Sequence, residues 1–201
     1  MPESESNREE NIEVVSGHTL ARSNEVLPTL VHLLPVSARP FFPGQAVPLL
    51  MEQEHWESTM EAVTESSHQL LGVVLSDAES AESATPPSFK KIGTACRIHR
   101  VQRFEGRLQV LVECLQRFRI EKIVHGETPF TAHIEYLPEP ASTNKEIKPY
   151  AVAIINTIKE LLPLNPLYSE ELRMFLDRFG PDDPSHLTDF AASLTTSDKF
   201  Q

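Results

Sequence analysis

Leu33-Leu34-Pro35-Val36-Ser37-Ala38-Arg39-Pro40-Phe41-Phe42-Pro43-Gly44-Gln45-Ala46-Val47-Pro48-Leu49-Leu50 places two short apolar segments on either side of a proline-bracketed turn. Pro43 fixes φ and Gly44 tolerates a positive φ, the combination that a tight reversal needs. Pro35, Pro40, Pro43 and Pro48 together exclude a helix, whereas strand ends and edges accept a residue without an N–H. The stretch predicts a strand, a turn and a second strand.

Downstream, Glu52 to Ser67 has helix-forming composition, with Trp56, Met60, Val63 and Ser67 at the spacing of one helical face. Leu70-Leu71-Gly72-Val73-Val74-Leu75 is a short apolar, β-branched run, the pattern of a strand buried on both faces. Ser76 to Lys91 is small, polar and proline-containing, and predicts a long mobile loop.

The strongest strand signal spans residues 92 to 124. Ile92 to Phe104 and Arg107 to Cys114 flank Glu105-Gly106, and Leu108, Val110, Val112 and Cys114 alternate with Gln109, Leu111 and Glu113. This predicts a hairpin on a two-residue loop. In that register Cys96 faces Leu115 and Cys114 faces Arg97, so the only two thiols of the chain lie on opposite faces and no disulfide is expected. Arg117 to Ile123 continues the alternation, and Phe130, Ala132, Ile134 and Tyr136 mark one more strand. Six or seven short strands with one helix predict a small mixed barrel rather than a parallel α/β sheet.

At Pro138 the character changes. Glu139 to Asn144 reads as a linker, and an apolar stripe of Ile147, Tyr150, Ala151, Ile154, Ile155, Ile158, Leu161 and Leu162 follows at helical spacing. Pro163 and Pro166 break that helix. Ser169 is an N-cap for a second helix, which Gly180-Pro181 ends. Asp183 followed by Pro184 opens a third, with Leu187, Phe190, Ala191 and Leu194 on its inner face. The expected class is α+β, with a β-barrel over residues 30–140, a small helical bundle over 141–201 and a mobile acidic tail over 1–29. That tail carries six acidic and two basic residues.

The net charge of −11 argues against nucleic acid or an anionic membrane as the main partner, since both select positive surfaces. No apolar run reaches the length of a membrane span and no signal-peptide pattern opens the chain, so the expected location is cytoplasmic. The eight histidines never pair at i, i+4, and Cys96 and His99 are spaced to point to opposite faces of a strand; no metal site is expected. The acids and hydroxyls show no catalytic spacing.

The opening stretch resembles the signature of the Lon protease N-terminal domain, a proline-punctuated LPV segment followed by FPG and VPL. Ile92 to Ile98, Val110 to Ile120, Asn165-Pro166 and Asp182 to Ala192 resemble further segments of that family, in the same order. Cys114 departs from the pattern, where glycine is usual. The resemblance implies a β-barrel like that of pseudouridine synthases and archaeosine transglycosylases (PUA-like), followed by a helical bundle. It also implies a role in capturing unfolded or damaged proteins and in organising a hexamer. The full enzyme of this family is an ATP-dependent serine protease with a Ser-Lys dyad. This chain carries no GxxxxGK[ST] loop for ATP and magnesium and no protease domain, so it is expected to be non-catalytic, to bind no cofactor and to be cut from a longer protein, the alternative being a stand-alone protein-binding module of the same kind.

Protein capture needs exposed apolar side chains with a polar rim. Trp56 and its neighbour His55, then Phe41, Phe42 and Phe89 near turns, are the candidate contacts, although Trp56 also suits an anchor between helix and barrel. Arg97, Arg100, Arg103, Arg107, Arg117 and Arg119 cluster on the hairpin and the strand after it. They are either a solvated face that discourages edge pairing or an RNA surface of a PUA-like barrel, and the net acidity favours the first.

Overall fold

The computed structural model describes residues 27–138, 147–161 and 180–193, with Pro163 and Leu176 besides. The strand, turn and strand of the opening stretch are present as β1 (Leu30–Val36) and β2 (Ala46–Glu52), with Gly44 at φ 80°. The two are not neighbours. β1 lies between β3 (Leu70–Ser76), to which it runs parallel, and β6 (Thr131–Tyr136), while β2, among the described residues, pairs only with β5 (Arg107–His125). A parallel pair needs a long crossover, and β2 with helix α1 (Gln53–Glu65) supplies it. The face of α1 that carries Trp56, Thr59, Met60 and Val63 is buried, as the helical spacing of three of them predicts.

β4 (Phe89–Phe104) and β5 form the long hairpin, and Glu105 and Gly106 both have positive φ in its turn. The full hydrogen-bonded order is β2-β5-β4-β3-β1-β6, and β6 pairs with β5 as well as with β1. The inner sides of these strands, with Leu33, Leu71, Val73, Leu108, Val110, Val112, Phe118 and Ile134, enclose one core that α1 closes through Trp56 and Met60. Phe118 occupies the space left by two glycines. A Cβ on Gly93 would stand 2.5 Å from its Cζ, and one on Gly72 would stand 3.0 Å from it.

Three expectations are corrected. The segment Ser76 to Lys91 is not loop throughout. Ser76 still belongs to β3, and β4 begins at Phe89 after a short 3-10 turn (Pro86–Ser88). Ser76 Oγ lies 2.7 Å from Ser88 Oγ, and the Asp77 N–H donates to the Ser88 carbonyl at 2.9 Å, so the two loop ends are tied. The cysteines do not lie on opposite faces. Pairing runs as expected from Phe104↔Arg107 to Arg100↔Leu111, but His99 is then an extra residue on β4 and the register slips to Ile98↔Val112 and Cys96↔Cys114. Leu115 is an extra residue on β5, and Ala95↔Gln116 resumes the first register. Between these two bulges the cysteines face each other. The third correction is Trp56, which is 0% exposed and offers no surface.

Beyond the sheet, α2 (Ile147–Leu161) and α3 (Pro184–Ser193) follow, with Pro149 in the first turn of α2 and Asp183 capping α3. The helix expected after Ser169, the linker and the acidic tail up to residue 26 lie outside the described residues.

Candidate functional site

The turn between β1 and β2 is held from below by the hairpin. The Gly44 N–H donates to the Cys114 carbonyl and the Cys114 N–H to the Gln45 carbonyl, both at 2.8 Å. The Thr94 hydroxyl donates to the Phe41 carbonyl at 2.7 Å. Tied in this way, the turn stands over β3 and β4 and leaves a cleft of about 170 Å³. Pro40, Phe41 and Phe42 form its wall, and Val73, Leu75, Ile92, Gly93 and Thr94 its floor. Lys90 and Arg117 line it at the rim, so an apolar recess opens beside positive charge in an acidic protein.

Arg117 is fixed in place. Its guanidinium pairs with Asp189 of α3, whose side chain is 8% exposed, and lies 5.9 Å from the centroid of the Phe42 ring. The Arg39 guanidinium donates to the Ser193 carbonyl at 3.4 Å, and an added Cβ on Gly44 would stand 3.3 Å from the His186 ring. Helix α3 thus docks on the proline turn and on β5, and the cleft wall is held between them. Lys90 pairs with Asp77 at 2.8 Å, at a half-exposed position.

Of the residues singled out in the sequence, Phe41 and Phe42 line this cleft, both partly buried. Phe89 does not line it. Its ring packs edge-on against Phe130 with centroids 5.2 Å apart. His55 sits partly buried with its ring edge-on to Trp56, centroids 4.8 Å apart, so the pair serves the inner side of α1. The floor residue Ile92, 42% exposed, reads in the sequence as the start of a strand and of a family-like segment, and not as a contact. Its strand runs back to Phe89, which opens the solvent-facing position that the Ile92 start conceals. A second apolar surface was also missed. Leu50 (65% exposed), Leu111 and Phe104 (61%) project from β2, β5 and β4 on the outer side, opposite the buried alternation of Leu108, Val110 and Val112.

Among these arginines, Arg103 pairs with Glu57, Arg117 with Asp189 and Arg119 with Glu135. Among the described residues no group of three or more His, Cys, Asp and Glu converges, and no helix is long and apolar enough to cross a membrane.

The family model of the ATP-dependent protease La (LON) substrate-binding domain matches residues 31–201. The chain belongs to the Lon substrate-binding domain family. Relatives include Lon protease 2 of Hydrogenovibrio crunogenus, 41% identical over 89% of this chain, and Lon protease of Protochlamydia amoebophila, 37% identical over 90%. The chain spans about a fifth of the length of these relatives, 20% and 22% respectively. Among solved structures, the N-terminal domain of Mycobacterium avium complex Lon protease superposes with a TM-score of 0.64 at 18% identity, covering 83% of this chain and 85% of that one. The Lon N-terminal domain protein from Xanthomonas campestris gives 0.50 at 18% identity, covering 84% and 99%. At that identity the likeness concerns the fold of the Lon domain alone. The α+β arrangement, a mixed six-stranded sheet with helices, agrees with it.

Proposed function

We propose that this Lon domain captures unfolded or damaged proteins for an ATP-dependent serine protease, and that the cleft beneath the proline turn takes one large apolar side chain of the captured chain. The cleft volume carries this reading. A cavity of roughly 150 Å³ lined by Leu, Ile and Phe accommodates a benzene ring, and the recess here has about 170 Å³ with a similar lining. Folded proteins bury such side chains and unfolded ones expose them, which gives selectivity for unfolded chains without a sequence code. A single small recess binds weakly. Several copies acting together in a hexamer would multiply that affinity through high effective concentration.

In the same reading the pairing of β6 with both β1 and β5 closes the sheet into a small PUA-like barrel, with a helical unit from about residue 141. The Lon domain itself is non-catalytic, and ATP and magnesium act on other parts of the cytoplasmic protease.

The test is an NMR titration of the isotope-labelled chain with a permanently unfolded polypeptide, with a folded protein and a short RNA in parallel. Shifts with the unfolded chain alone, centred on Phe41, Phe42, Leu75 and Ile92 and lost in Ile92→Asp, are expected. Shifts with RNA along Arg97 to Arg119, or shifts with the unfolded chain that spare the cleft, would overturn the assignment.

A further inference from the structure

Cys96 on β4 and Cys114 on β5 are free thiols, both buried, and their sulfurs lie 3.5 Å apart. The two residues are direct register partners between the two bulges. Opposed residues on antiparallel strands have Cα atoms about 4.5–5.5 Å apart, inside the window of about 4.4–6.8 Å that a disulfide spans. Closing the sulfurs from 3.5 Å to about 2.05 Å therefore needs side-chain rotation and no refolding of the hairpin. Two thiols alone make a poor structural zinc site, and no third ligand group converges on them among the described residues.

We propose that Cys96 and Cys114 are a modification site, a dithiol that hydrogen peroxide converts into an intrachain disulfide joining β4 to β5. The step begins with the Cys114 thiolate, formed when its proton passes to water in the opened hairpin, with the Cys96 sulfur 3.5 Å away in the closed one. That thiolate attacks one peroxide oxygen, the O–O bond breaks, and the departing hydroxide takes up a proton as water. Cys114 is then a sulfenic acid. The Cys96 sulfur attacks the Cys114 sulfur, the S–S bond forms as the S–O bond breaks, and the leaving hydroxide takes the Cys96 proton as a second water. Two thiols are oxidised and one peroxide is reduced to two waters; a dithiol reductant reverses the change by exchange.

Access decides the rate. The hydrogen bond with the neighbouring Cys114 thiol, and then burial, hold Cys96 well above the usual thiol range, and a closed core keeps peroxide out. Oxidation proceeds through local opening of the hairpin, so its rate follows the open population. Once formed, the bond holds shut the segment whose opening admitted the oxidant. It also fixes the strand position from which Gly44 and Gln45 hang.

The test treats the chain with hydrogen peroxide in increasing sub-denaturing urea, followed by alkylation in denaturant and mass mapping. Expected are loss of two hydrogens, no alkylation of either cysteine, one linked peptide pair holding Cys96 and Cys114, and a rate that climbs with urea. The oxidised chain should unfold with an equilibrium constant about a hundredfold lower than the reduced one, as closing a loop between positions 18 apart in sequence implies. Two thiols that stay alkylatable, separate sulfinic acids, linked dimers alone, or a rate indifferent to urea would each overturn the proposal. Cys96→Ala provides the control, since its lone Cys114 cannot give the linked pair.

Discussion

Phe118 fits its place because Gly72 and Gly93 have no side chains, and the two glycines differ in how much room could be made. A Cβ on Gly93 would also stand 2.6 Å from the Val73 carbonyl, which is backbone and cannot turn aside, whereas the nearest neighbour of one on Gly72 is the tip of Leu33. Gly93→Ala should destabilise by about 1–3 kcal/mol, as overpacking does, and Gly72→Ala by less. Urea unfolding of both variants checks the order. Tyr136 is a second single-residue case. Its hydroxyl donates to the Pro28 carbonyl at 2.9 Å, and partial burial pushes its pKa up to about 12 from 10.0. With the folded value raised, the unfolded chain ionises first, so this contribution is intact below pH 10.0 and lost as pH climbs to about 12. Tyr136→Phe should lose less stability than the parent across that window, measured by unfolding at stepped pH.

Elements with one strong periodic signal were legible. The stripe of Trp56, Met60 and Val63 located α1, and alternation with Glu105-Gly106 located the hairpin. Its bulges were not legible, because an extra residue such as His99 leaves no mark in composition and shifts every partner beyond it. That is why the thiols were placed on opposite faces. The docking of α3 was hidden for another reason. Asp189, between the stripe positions Leu187 and Phe190, reads as a solvent-facing helix residue, yet it is 6% exposed because Arg117 meets it from β5. The same contact explains why only half of the candidate site was found. Phe41 and Phe42 were visible as turn aromatics, but the floor of Leu75 and Ile92 and the rim of Arg117 come from three other strands. Asp189→Asn keeps the shape and removes the charge. Amide exchange at the start of α3, Leu187 for example, whose N–H bonds the Asp183 carbonyl, should quicken about tenfold or more, while exchange in β3 and β4 stays unchanged. Hydrogen exchange followed residue by residue distinguishes this from general loosening.

For the molecule as a whole, the arginines illustrate how charge is distributed. Arg103, Arg117 and Arg119 each meet a carboxylate of another element, so a stretch that reads as a basic patch becomes a set of ties between hairpin, helices and β6. The free side of β2 shows the opposite economy. At one end of β2 Gln45 accepts from Cys114 of β5 and at the other the Gln53 N–H donates to Gly106 of the hairpin turn, and since alternate residues face the same neighbour, Ala46, Pro48, Leu50 and Glu52 turn their backbone groups outward. Pro48 then presents no donor in the middle of that edge, with Leu50 exposed beside it. If the domain captures extended, apolar chains, as we propose, it runs the hazard of being extended by them, one strand after another, into a fibre. Pro48 interrupts the template at its centre, so a visiting chain can touch this rim without being added to the sheet. Pro48→Thr should restore the donor, and light scattering of the concentrated variant should show growing assemblies where the parent stays small.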